Sequence, residues 1–146
     1  MIELIQPNWP APSHIKALTT TRKGGVSGFP FDSLNLGLHV GDDDKKVMTN
    51  RELLQKGSNH THAQWLNQIH SNRVIKYSGS RSLTDADALV TDQADSACAI
   101  MTADCLPVLF ANSGGSWIAA AHAGWRGLAD EVLINTVNQY GQAEPL

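Results

Sequence analysis

The sequence predicts an α+β fold. Most of its apolar runs are short and resemble buried strands, whereas helical periodicity is confined to two segments. Strands therefore outnumber helices and do not alternate regularly with them, which argues against a doubly wound parallel sheet. No repeat, low-complexity tract or linker divides the 146 residues, so we expect one domain spanning 1–146.

The first part of the chain predicts one strand and one helix. The segment "HIKALTTTR" has the threonines and alternating apolar positions of a strand, and the Gly24-Gly25 turn ends it. A helix is expected from Asp42 onward, where an aspartate can cap its first turn. Val47 and Leu54 lie on one face of this helix, and Gly57 is its predicted stop.

The rest of the chain predicts two hairpins and a final helix. The segments "AQWLNQIH" and "RVIKYSG" are expected to pair around a turn at Ser71-Asn72. The segment "ACAIMT" predicts a buried strand, and "LPVLFAN" and "WIAAAHA" predict two more, joined by a turn at Gly114-Gly115. A helix over Leu128–Tyr140 follows, with Gly141 as its stop.

Composition excludes several classes of partner. Lys and Arg total 11 against 14 Asp and Glu, and a net charge of -3 does not attract nucleic acid or anionic lipid. No apolar run is long enough to span a membrane, and the first residues do not resemble a signal peptide. We therefore expect a cytoplasmic protein whose two cysteines, Cys98 and Cys105, stay reduced.

The segment "MTADCLPVLF" places an Asp104-Cys105 pair inside an apolar run. A free cysteine is usually a small buried hydrophobe. A carboxylate in such a run, however, needs a partner or a water-filled cleft, because an unpaired buried charge is costly. The pair is therefore a candidate for the mouth of a pocket.

Two histidines complete a candidate donor set with Cys105. His122 interrupts the apolar segment "AAAHAGWRG", where it is either a paired core residue or a ligand, and His70 lies at the predicted hairpin turn. Two imidazoles and one thiolate are found in catalytic zinc sites that keep a fourth position open. The long spacings between the three residues do not resemble a compact zinc finger, so composition permits a metal without demonstrating one.

Two arginines are candidates for an anionic substrate group. Arg22 lies in "TTTRKGGVSG", which is either an anion cradle of backbone amides or a glycine turn flanked by solvated basic residues. Arg126 lies at the predicted start of a helix, where it could hold a phosphate or carboxylate or form a surface ion pair. The His60-x-His62 pair recurs in copper sites, but only 6 histidines are present in all, so we interpret these two as loop residues.

Six motifs together resemble the laccase-domain family. In chain order they are "TTTRKGGVSG", "DSLNLGLHVGDD", "WLNQIH", "DADALVT", "AIMTADCLPVLF" and "AAAHAGWRG", and they extend from Thr19 to Gly127. Members of that family are described as polyphenol oxidases, purine nucleoside phosphorylases and peptidoglycan editing factors. The resemblance implies a layered α/β/β/α sandwich with mixed sheets. It also implies zinc held by His70, Cys105 and His122, with Arg22 and Asn35 lining the same cleft.

The chain departs from the family pattern in two places. Ser71 stands where the family usually has glycine after the first histidine. Family members also continue well beyond the length of this chain, so we expect it to be the N-terminal part of such a protein, with incomplete sheets.

The leading hypothesis is a zinc-dependent enzyme that acts on purine nucleosides. The resemblance implies phosphorolysis of adenosine or inosine, with phosphate as second substrate, and water activated by zinc would also deaminate adenosine. One alternative is a cysteine hydrolase or amidase acting on cell-wall precursors, with Cys105 as nucleophile, His122 as base and Asp104 as orienting group. A polyphenol oxidase with copper is a further alternative. The last is a non-catalytic fragment that associates with itself through open sheet edges.

Overall fold

The computed structural model describes residues 1–60 and 62–141 and shows an α+β fold, which confirms the predicted class. In this part of the chain, three helices and ten strands are present, and the strands form four sheets. The chain divides into two compact units. The first comprises Met1–Trp9 and Lys16–His60, and the second comprises Pro10–Ile15 and Thr61–Leu146. The single domain over 1–146 stays a prediction.

The first unit contains a small strand pair and the longest helix. Strand β1 (Leu4–Ile5) pairs antiparallel with β2 (Thr19–Thr20). The predicted strand "HIKALTTTR" is therefore much shorter than expected, because β1 offers only two residues for pairing. Helix α1 (Asp44–Ser58) buries Val47 and Leu54, as its periodicity predicts.

The ends of α1 differ from the predicted ones. Asp43 caps the helix, since its side chain accepts a hydrogen bond from the Lys45 amide at 2.8 Å. The helix continues past Gly57 to Ser58, and Asn59 ends it in a left-handed conformation with φ 53°. Gly57 serves close packing instead, because a Cβ there would lie 2.5 Å from the Ile2 side chain. The prediction of Gly57 as the stop was wrong.

The second unit is built on a mixed four-stranded sheet in the order β5-β7-β10-β9. Strand β5 (Val74–Lys76) runs parallel to β7 (Ala88–Thr91). Strand β10 (Ile118–Ala123) runs antiparallel to both β7 and β9 (Leu106–Ala111). The hairpin predicted between the last two strands is thus confirmed. In the described part of the chain β5 and β9 are the outer strands, and self-association through such edges stays a prediction.

The other predicted hairpin was wrong. Its first segment forms β3 (His62–Gln64) and β4 (Leu66–Asn67), and each of these pairs in parallel with a later strand. The partners are β8 (Ser96–Cys98) for β3 and β6 (Thr84–Asp85) for β4. The second segment forms β5, which joins the four-stranded sheet instead.

The final helix is divided in two rather than continuous over 128–140. Helix α2 (Trp125–Ala129) and helix α3 (Val132–Val137) are separated by Glu131, whose φ of 67° is left-handed and cannot continue an α-helix. After this break Val132 is completely buried against Ala88 and Ala121 of the sheet.

The four-stranded sheet of the second unit has a different partner on each face. Ala88 of β7 packs with Val132 of α3 on one face, whereas the next residue, Leu89, packs with Leu66 and Cys98 of the short strands on the other. This alternation places a helical layer on one side and a layer of short strands on the other. His122 is cross-strand to Asp87, one residue before β7, so both side chains lie on the face opposite the helices.

We predict that Leu89→Ala lowers the free energy of unfolding by about 2–5 kcal/mol, because the Leu89 side chain is completely buried and its loss leaves a cavity. Urea denaturation measures the change. Leu83→Ala is the matched control, since Leu83 is 46% exposed and its truncation should cost under ~0.5 kcal/mol. Equal losses in the two variants would contradict this packing.

Candidate metal centre

Three side chains distant in sequence meet in the second unit: His70, Cys105 and His122. Their potential ligand atoms all lie within 4.8 Å of one another. The Cys105 Sγ is 4.0 Å from the His70 Nε2, and the two imidazole rings meet edge to face with centroids 4.8 Å apart. Among the described residues, this is the one group of three histidine, cysteine or acidic side chains that are close enough together to hold a metal ion.

Each of the three comes from a different element. His70 lies in the loop after β4, Cys105 immediately precedes β9, and His122 lies in β10. His122 is buried, Cys105 is half-buried and His70 is exposed, so the cluster is open to solvent on the His70 side. The three residues would supply two imidazole nitrogens and one sulfur, a donor set that suits zinc.

A fourth residue, Asp87, hydrogen-bonds to both histidines of this cluster and was not predicted from the sequence. Asp87 is completely buried, and its Oδ1 accepts a hydrogen bond from the His122 Nδ1 at 2.8 Å and from the His70 amide at 3.0 Å. Its Oδ2 accepts bonds from the Ser71 amide and hydroxyl, both at 2.7 Å, and from the Ile69 amide at 3.2 Å. The sequence feature that could have identified Asp87 is its position directly before the apolar residues "ALV" in "DADALVT".

The electrostatics of Asp87 favour its ionised form. Burial alone raises the pKa of this carboxyl, but the hydrogen bonds from His122 and Ser71 outweigh that effect and hold its pKa below the ordinary value. An ionised carboxylate accepts hydrogen bonds only, which agrees with its five donors. The His122 Nδ1 therefore carries the proton in this pair.

Asp104 does not occupy the predicted orienting position. Its side chain is exposed, and the Cys105 thiol lies 3.8 Å from its Oδ1, whereas the carboxylate that pairs with His122 is Asp87. Burial raises the pKa of the Cys105 thiol, and the carboxylates of Asp104 and Asp87 raise it further. A thiol with a raised pKa is a poor nucleophile near neutral pH, which disfavours the cysteine hydrolase alternative.

Gly124 allows the cluster to be this compact. A Cβ at this position would lie 3.1 Å from both the Cys105 Sγ and the His70 ring, closer than ordinary van der Waals contact. The next two residues begin α2 and are exposed: Trp125 is 74% accessible, and the Arg126 guanidinium lies 5.3 Å from its ring centroid. Arg126 is thus a solvent-accessible cation two residues beyond the glycine that contacts the cluster.

The other predicted substrate residues, Arg22 and Asn35, lie in the first unit. The Arg22 guanidinium donates to the Asp32 carbonyl at 2.6 Å and to its carboxylate at 3.2 Å. The Asn35 side chain bonds to the Gly37 backbone and to Asp42. Both roles in a cleft stay predictions.

The glycine-containing loop after Arg22 pairs several of its hydrogen-bond donors within the first unit. Its Gly25 amide donates to the Ser33 hydroxyl at 3.1 Å, and its Val26 amide donates to the Asn50 side chain at 2.8 Å. The Ser27 hydroxyl donates to Asp42 at 2.6 Å. Because these donors are already paired within the unit, their pairing favours the glycine turn over an anion cradle.

Comparison with known proteins identifies the family. Residues 16–145 match the family model described as multi-copper polyphenol oxidoreductase laccase, and the chain belongs to this family. A purine nucleoside phosphorylase of Haemophilus influenzae is 50% identical over 145 residues, covering 99% of this chain and 59% of the relative. A purine nucleoside phosphorylase of Escherichia coli is 48% identical over 140 residues, covering 94% of this chain and 58% of the relative.

A solved structure supports the same assignment. The crystal structure of a Neisseria meningitidis protein superposes with a TM-score of 0.88 at 50% identity, covering 93% of this chain and 56% of the other. The chain thus spans under two thirds of the length of these relatives. No helix in 1–60 or 62–141 has the length and apolar character needed to cross a membrane.

We predict that neither cysteine of the chelator-treated native protein reacts rapidly with an alkylating reagent at pH 7. With Cys98→Ala only Cys105 remains, and its raised pKa leaves little thiolate at pH 7, so alkylation should accelerate as the pH rises above the ordinary thiol pKa. With Cys105→Ser only Cys98 remains, and burial raises its pKa to about 12, so it should react only after unfolding. Rapid alkylation of Cys105 at pH 7 would instead favour a nucleophilic cysteine.

Proposed function

We propose that this chain carries the metal-binding part of a purine nucleoside phosphorylase that also deaminates adenosine. The observation that carries the proposal is the convergence of His70, Cys105 and His122 within 4.8 Å. Relatives named purine nucleoside phosphorylase, at 50% and 48% identity, support the reaction class. Purine nucleosides and phosphate are the proposed substrates.

Zinc is the proposed metal, and the donors fit it. His122 bonds to Asp87 through Nδ1, which leaves its Nε2 for a ligand, while Cys105 and His70 supply a sulfur and a second nitrogen. When bound, zinc acts as a Lewis acid that activates a nucleophile near neutral pH. The cluster is open to solvent on the His70 side, which gives a substrate access to it.

Copper is the alternative metal that the family description suggests. Imidazole and thiolate ligands suit copper as well as zinc. A multicopper oxidase needs many more imidazoles, however, and residues 1–60 and 62–141 contain one group of three potential ligands. We therefore propose zinc and treat the choice of metal as an outcome of the activity test.

The exposed start of α2 supports a substrate-binding role. In phosphorolysis a phosphate oxygen bonds to the ribose C1′ while the bond from C1′ to the base nitrogen breaks, and the departing base takes up a proton. We propose that Arg126 holds the phosphate or the ribose hydroxyls, because its cation is accessible close to Gly124. Trp125 offers an accessible aromatic face on which a purine can stack.

We predict that the chain converts adenosine to adenine only when phosphate is present, and to inosine with or without phosphate. Chelation should abolish both reactions, and zinc should restore them better than copper. Chromatographic separation of the products after incubation with adenosine measures both activities.

Cys105→Ser should lower both activities by more than about 100-fold, because it removes a proposed ligand rather than a supporting contact. Cys98→Ala is the matched control, since Cys98 is packed with Leu66 and Leu89 and should leave both activities in place. Activity that survives chelation, or an unaffected Cys105→Ser variant, would contradict the proposal.

A further inference from the structure

We infer that Asp87 is a positioning residue that holds both histidines of the cluster in their ligand geometry, with Ser71 holding Asp87 in turn. This inference rests on the proposed metal site. Asp87 is not one of the three potential ligands, and it acts through its hydrogen bonds to His70 and His122. One buried carboxylate thus links two potential ligands that are remote in sequence.

The contact with His122 selects the tautomer of that histidine. Backbone amides and the Ser71 hydroxyl donate to both oxygens of Asp87, which makes this carboxyl the acceptor of its surroundings. The His122 Nδ1 at 2.8 Å is therefore assigned as a further donor, and the lone pair then lies on Nε2. The backbone reinforces the pair, because the His122 amide donates to the Asp87 carbonyl at 2.7 Å. His122 is therefore fixed in both tautomer and orientation before any ligand arrives.

The contact with the His70 loop selects its backbone conformation. His70 has a φ of 60°, a left-handed value that non-glycine residues adopt infrequently. The amides of Ile69, His70 and Ser71 all donate to Asp87, at 3.2, 3.0 and 2.7 Å. Three successive amides directed at one carboxylate hold the loop in this conformation, and the loop carries the His70 imidazole to the cluster.

The Ser71 hydroxyl adds a contact that a substitution can remove separately. It donates to the Asp87 Oδ2 at 2.7 Å and accepts from the Arg73 amide at 3.2 Å. Ser71→Ala removes this hydroxyl but leaves the Ser71 amide bond to Asp87 in place. Ser71→Thr retains the hydroxyl. The pair of variants thus tests the support of Asp87 without altering Asp87 itself.

The test measures two properties of the purified chain. Nitrogen-15 NMR of the metal-free protein at neutral pH reports which nitrogen of His122 carries the proton. Competition with a chromophoric chelator measures the affinity for zinc. The variants are Asp87→Asn, Ser71→Ala and Ser71→Thr. Asparagine has nearly the same shape as aspartate, but one of its two acceptor oxygens is replaced by an NH2 group, which would have to face the donors around position 87.

Asn112→Asp is the matched control, because it also exchanges an amide and a carboxylate at a buried position. Asn112 is 1% exposed, and its side chain bonds to the Ser116 and Trp117 amides and to the hydroxyls of Ser116 and Tyr140. None of these partners belongs to the cluster. Asn112→Asp should lower thermal stability but leave the His122 tautomer and the zinc affinity unchanged.

We expect the wild-type His122 to be protonated on Nδ1 and Asp87→Asn to lose this single tautomer. Zinc affinity should fall by about 10–100-fold in Asp87→Asn, the usual effect of removing a carboxylate behind a histidine ligand. Ser71→Ala should show a smaller fall, and Ser71→Thr should restore the affinity. If Asp87→Asn does not fold, the wild-type tautomer and the Ser71 pair decide the question.

Two results would overturn the inference. The first is a wild-type His122 protonated on Nε2. The second is an Asp87→Asn variant that binds zinc as tightly as the wild type does. If Asp87→Asn does not fold, the same result in Ser71→Ala would overturn the inference. If the wild-type chain itself binds no zinc, the proposed metal site fails instead, while the tautomer measurement still tests the contact between Asp87 and His122.

Discussion

The buried hydrogen bond between Asp87 and His122 determines how the candidate site of the second unit is held together. A carboxylate without solvent contact is costly unless several donors surround it, and Asp87 has five. The same bonds connect the start of β7, strand β10 and the loop that carries His70. Satisfying one buried charge therefore also brings the histidines to Cys105.

The layers of the second unit explain why the Asp87 carboxylate can lie beside the four-stranded sheet. Helix α3 packs on one face of the four-stranded sheet, through Val132, and leaves His122 on the opposite face. On that side the described residues that pack against the sheet include those of short strands, such as Leu66 and Cys98, and the loop that carries His70 brings polar groups to Asp87. Strand β10 ends at Ala123, and Gly124 leads directly into Trp125 and Arg126 at the start of α2. The proposed substrate groups therefore lie within a few residues of His122 in the chain.

Local patterns in the sequence predicted local structure well and remote pairings poorly. The hairpin of β9 and β10 was predictable because its strands are adjacent and joined by a glycine turn, whereas the parallel pairings of β3 and β4 involve segments that no short pattern connects. His70, Cys105 and His122 were selected by residue type, and the structure brings them together. Asp87 was missed because the sequence does not show which aspartate is buried. Asp87 and Asp104 both lie beside apolar residues, yet Asp87 is completely buried and Asp104 is exposed.

The proposed function requires His70, Cys105 and His122 to hold one divalent ion together. Elemental analysis of the chain purified without an affinity tag measures this binding, with wild type and Cys105→Ser prepared in parallel. We expect close to one zinc per wild-type chain and little metal in the variant. A wild-type chain without metal, or a variant with the wild-type metal content, would show that these side chains do not form a metal site.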